Sequence, residues 1–104
     1  GGGIQMKKIK KFVDAISEEL EDAKEYAESY VEAKAKGETG IANRYKEMAG
    51  DEIKHAMYLH EMVVAEIKEI SKVYTPPADM QEKWDMAHKE YVEKAAWIKQ
   101  MLQM

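Results

Sequence analysis

The stretch Met48-Ala-Gly-Asp-Glu-Ile-Lys-His-Ala-Met-Tyr-Leu-His-Glu-Met62 carries Glu52 and His55 in the spacing Glu-x-x-His. On an α-helix, residues three apart lie one turn apart on one surface. Stepping about 100° per residue along the flanks gathers the apolar side chains on one side. They are Ile41, Tyr45, Met48, Ala49, Ala56, Leu59, Met62, Val63, Ile67 and Ile70. Glu52 falls near the centre of that stripe and His55 toward its edge. A carboxylate in a core-facing stripe costs several kcal/mol unless it is protonated, paired or bound to a metal. The fold has to supply one of those three.

Outward from this stretch the pattern is helical throughout, so the fold class is all-α. The helix that holds Glu52 is expected over about residues 41–73, on the order of 50 Å long. Such a helix in a chain of 104 residues means an elongated bundle. Before it stands Gly37-Glu38-Thr39-Gly40, a link short enough to force an antiparallel hairpin, with Gly37 as a helix terminator and Thr39 as the next cap. Phe12, Ile16, Leu20, Ala23, Ala27, Tyr30 and Val31 recur at three- and four-residue steps and predict a first helix over about 8–36. Gly1 to Gln5 reads as a tag or linker ahead of a natural start at Met6, leaving a single domain over 6–104.

After the second helix, Tyr74-Thr75-Pro76-Pro77 breaks the chain and a third helix is expected over about 78–103, capped by Thr75 or Asp79. Its inner stripe is Met80, Trp84, Ala87, His88, Tyr91, Ala95, Ile98 and Leu102. A second stripe, Met86, Trp97, Met101 and Met104, lies on nearly the opposite side. A helix apolar on two sides is covered twice, which predicts self-association or another protein partner.

Composition narrows the function classes. Sixteen Lys and Arg are interleaved with 20 Asp and Glu, for a net charge of −4, so no basic patch offers a nucleic-acid surface. The absence of cysteine excludes disulfides, thiolate metal sites and thiol nucleophiles. A reducing cytoplasmic setting, free or inside a protein compartment, fits that absence. No apolar run reaches membrane-spanning length. The eight methionines and the tyrosines read as packing residues.

A carboxylate and an imidazole one turn apart can both reach one metal ion. Carboxylate-rich sites with imidazole suit iron, manganese or zinc. One helix supplies too few ligands, so the first helix has to contribute, and Glu19, at the edge of its apolar stripe, is the best placed candidate.

Glu19, Ala23 and Tyr26 on one helix, followed by Ala49-Gly50-Asp51-Glu52-Ile53-Lys54-His55-Ala56-Met57-Tyr58-Leu59-His60 on the next, resemble the first half of the ferritin-like superfamily. The nearest echoes are rubrerythrins and small bacterial and phage ferritin-like proteins, over about residues 12–64. The resemblance implies that Glu19, Glu52 and His55 ligate iron in half of a di-iron centre, and that the chemistry is ferroxidase oxidation of Fe²⁺. A full ferritin-like bundle carries a second such set on two further helices. Here the third helix offers only Asp85-x-x-His88, with Asp85 turned away from the inner stripe, as lesser candidates. Two hairpins about a two-fold axis would restore four carboxylates and two imidazoles, as in encapsulated ferritins, which this chain is similar to in that respect. The expectation is therefore a homo-oligomer, at least a dimer, that works alone or with a shell. The competing expectation is a non-enzymatic ferritin-like interaction module of phage type, with Glu52 protonated or paired with a Lys or Arg such as Arg44 of a neighbouring copy.

Overall fold

A computed structural model describes residues 2–73 and 75–104, with side chains from Met6 onward. Gly1 of the expected linker and Tyr74 of the expected break lie outside the described residues. Three helices and no strand make up the described residues: α1 (Gly2–Ala35), α2 (Thr39–Val73) and α3 (Ala78–Met101). The chain is a rod of 55 × 17 × 16 Å.

The helix ends differ from expectation in instructive ways. α1 starts at Gly2 rather than near Lys8. Glycine weakens a helix by about 1 kcal/mol per residue, but cooperative elongation of a long helix carries it through. α1 stops where Gly37 predicts. The Gly37 amide donates to the Lys34 carbonyl at 3.0 Å and the Glu38 amide to the Ala33 carbonyl at 2.9 Å. This is a Schellman motif, and it needs the left-handed φ of 76° that Gly37 adopts. No atom lies within 4 Å of a Cβ added at Gly37, so only backbone strain opposes a side chain. Gly37→Ala is expected to lower stability by about 1 kcal/mol in urea denaturation.

α2 begins at Thr39, two residues early, so Thr39 is not its cap: the Ala42 amide donates to the Glu38 carbonyl at 2.9 Å. At α3 the N-cap position is Pro77, with no side-chain cap from Thr75 or Asp79. Asp79 stands in the first turn instead, where its charge complements the helix dipole.

α1 and α2 pack along their length through a seven-residue repeat. Ile9, Ile16, Ala23 and Tyr30 of α1 face Ala42, Ala49, Ala56, Val63 and Ile70 of α2, and all are buried. The alanines at the middle of this seam let the two backbones approach closely. α3 packs chiefly on α1. Met80, Ala95, Ile98, Met101 and Leu102 are its buried residues. Met101 therefore belongs to the inner face, not the outer stripe. The α3 end folds onto the hairpin there, and Lys34 Nζ donates to the Met104 carbonyl. Met86, Trp97 and Met104 remain exposed, as expected of an outer stripe.

Two grooves flank the α1–α2 seam. α3 covers one, over Val13, Ser17 and Leu20 of α1 and His60 of α2, and Lys94 clamps it to Glu21 at 2.6 Å. The opposite groove is open. Along it Tyr45, Met48 and Leu59 are half-buried, while Ile41 and Met62 are 53% and 45% exposed.

Candidate metal centre

The Glu-x-x-His residues of α2 and Glu19 of α1 converge in the open groove. Glu19 and Glu52 both stand one step beside the buried seam, three residues after Ile16 and Ala49 respectively, so helical geometry turns both toward the same groove. His55, one turn on, reaches over them. Its Nδ1 lies 3.5 Å from Glu19 Oε2 and 3.8 Å from Glu52 Oε2. Glu19, Glu52 and His55 form the one group of three or more such side chains among the described residues whose ligating atoms fall within 4.8 Å of one another.

Burial within the group is graded. The Glu52 and Glu19 side chains are 21% and 28% exposed and that of His55 53%. Tyr26 and Tyr45 stack across the seam at 6.3 Å, one repeat along from the carboxylates. Glu66 lies two repeats past Glu52 and is paired with Lys8 at 2.8 Å, so it is a bridge between α1 and α2 and no part of the group.

The electrostatics of the group are dominated by its two carboxyls. Glu19 Oε2 is buried without a hydrogen-bond partner. The pKa of Glu52 is pushed up from 4.5 to about 7. The hydrogen bond that a protonated Glu52 can donate to the Glu19 carboxyl is the largest cause, burial the next, and repulsion from Glu19 adds to both, while His55 pulls the other way. Two carboxyls this close repel when both are ionised, and a proton on one of them relieves the repulsion.

Asp85 and His88 do not join this group. Gln81 Nε2 donates to Asp85 at 2.9 Å, and His88 is exposed and stacks on His60 at 5.0 Å, in the other groove. Arg44 is engaged by Glu47 at 2.9 Å. The row Trp84, His88 and Tyr91 on one face of α3 asks for a ring opposite it without saying which, and His60 of α2 supplies it.

No protein-family profile, curated protein or solved structure matches this chain. No helix among the described residues is long and apolar enough to cross a membrane.

Proposed function

We propose that the chain is a ferritin-like carboxylate protein whose metal centre forms between two copies, and that it oxidises Fe²⁺. The observation that carries this reading is Glu19 Oε2, buried and without a donor, beside a second carboxylate and an imidazole within 4.8 Å. A divalent cation there satisfies the orphan oxygen and replaces the proton on Glu52. Glu19, Glu52 and His55 would hold it, and iron suits their two oxygens and one nitrogen. Three ligands leave a ferritin-like set half complete. They lie in the groove that no helix of this chain covers, so a second copy across it supplies the other three.

In that role Fe²⁺ is the substrate, and one electron leaves each ion for dioxygen or peroxide. The half-exposed His55 stands at the mouth of the group. The seam alanines and the Tyr26–Tyr45 pair keep the inner side dry.

A second reading rests on the raised pKa of Glu52. A shared proton also satisfies the carboxyl pair, and the hairpin is then an interaction module without a metal. Anaerobic addition of Fe²⁺ followed by air, with absorbance and native mass read in parallel, separates the two. The metal reading expects iron to bind in a species of at least two chains. An iron-free mass at excess Fe²⁺ favours the module.

A further inference from the structure

The covered groove holds a second unsatisfied group. His60 projects from α2 beneath α3, and its Nε2 is buried without a hydrogen-bond partner. Its ring lies 5.0 Å from Tyr91 at 14°, 5.0 Å from His88 at 29°, and 5.4 Å from Trp84 at 37°. α3 packs chiefly on α1, so these stacked rings are its fastening to α2. We propose that His60 makes α3 an acid-released clamp: a proton on its imidazole opens the ring stack and undocks α3 from the hairpin.

The reason is the difference between imidazole and imidazolium. A neutral ring offers one donor and one acceptor, and stacks on its neighbours as an apolar disc. An imidazolium carries two N–H donors and a full charge. Nε2 is buried and has no acceptor, so the N–H that a proton adds there would go unpaired. Cation–π attraction to Trp84 and Tyr91 offsets part of that cost but gives Nε2 no acceptor.

The charged surroundings do not rescue it. Glu61 of α2 favours the imidazolium. Asp14 of α1 and Glu90 of α3 line the adjoining cavity of about 200 Å³. Lys94 of α3 also lines it, held by Glu21, and His88 opposes a second positive charge beside it. The balance falls against the proton: burial, then His88, hold His60 below its usual 6.5 despite Glu61. Tyr91 is held above its usual 10.0 by burial first and stays neutral throughout. The docked state therefore binds fewer protons than the undocked one, so docking weakens as pH falls through 6.5.

The test uses the full chain with Trp97→Phe, which leaves Trp84 as the only tryptophan. Amide hydrogen exchange, corrected for its intrinsic pH dependence, is compared near pH 7.5 and near pH 5. Protection in α3 is expected to fall severalfold while α1 and α2 hold theirs. Trp84 emission is expected to shift to the red with a midpoint below 6.5. His60→Phe keeps a ring in the stack and cannot take the proton, so α3 is expected to stay docked at both values. Equal loss of protection in all three helices overturns the proposal, as does an acid step that survives in a docked His60→Phe protein. If His60→Phe does not dock even near pH 7.5, the His60 ring titration, followed by NMR in the unsubstituted stack, decides. A midpoint shared with Trp84 supports the clamp, and a separate one overturns it.

Discussion

The Glu52→Gln protein is expected to bind no Fe²⁺ and, without metal, to be more stable than the parent above pH 7. Glutamine keeps the shape of the side chain in the groove. It removes the like charge beside Glu19 and brings an N–H that the orphan Glu19 Oε2 can accept. The pH dependence follows from the carboxyl of Glu52, raised from 4.5 to about 7. Between those values the folded parent holds a proton that the unfolded chain has lost, so its stability falls as pH rises through the window. The penalty is complete above 7 and absent below 4.5. With the side chain 21% exposed, solvent screening reduces it to about 1 kcal/mol. Urea midpoints of parent and variant should separate by about half a molar near pH 8 and converge near pH 4. Equal midpoints across that range would show that the two carboxyls do not repel. Iron binding that survives the substitution would remove Glu52 from the ligand set.

The two grooves of the hairpin therefore respond to acid with opposite signs. In the open groove a proton relieves the Glu19–Glu52 repulsion and tightens the α1–α2 seam. In the covered groove a proton on His60 loads an interface that has no acceptor for it. A single global melt sums the two and hides both. Measurements that resolve α3 from the hairpin separate them.

The sequence was most legible where local chemistry decides structure. Gly37 ended α1 because only a left-handed residue closes a Schellman turn, and Pro76-Pro77 ended the hairpin. Glu19, Glu52 and His55 were legible because helical spacing alone brings them to one side of a two-helix seam. Rotation about a helix axis was less legible. Ile41 and Met62 share a stripe with Ala49, Ala56 and Val63, yet they are exposed. Periodicity gives the width of an apolar stripe, and the neighbouring helix decides which part of it is covered. Here α3 settled on the His60 side, which left the Ile41–Met48–His55–Met62 side open. His88 shows the same limit. It sits one turn from Trp84 as a core residue would, but its partner is an imidazole on α2, and no pattern within α3 could name it.

That open side yields the second large effect. Met62→Glu leaves Glu19, Glu52 and His55 in place and changes a side chain that is already 45% exposed, so the monomer should lose no more than about 0.5 kcal/mol. If a second copy covers the groove, the substitution buries a charge at the centre of the joint, twice over because a two-fold interface repeats each residue. The expected result is a native mass of one chain at concentrations where the parent pairs, together with loss of iron binding by about a hundredfold or more. That loss follows because three ligands on one chain cannot replace six. Helix content by circular dichroism should be unchanged. The informative comparison is iron affinity against mass. Should Met62→Glu remain monomeric and still load iron as tightly as the parent, the three residues bind metal unaided and the centre does not lie between copies. Should it lose iron while still pairing, the glutamate has disturbed the site from within its own chain. Only joint loss of pairing and iron places the missing ligands on a second copy, because Met62 and the carboxylates share nothing but the groove that both line.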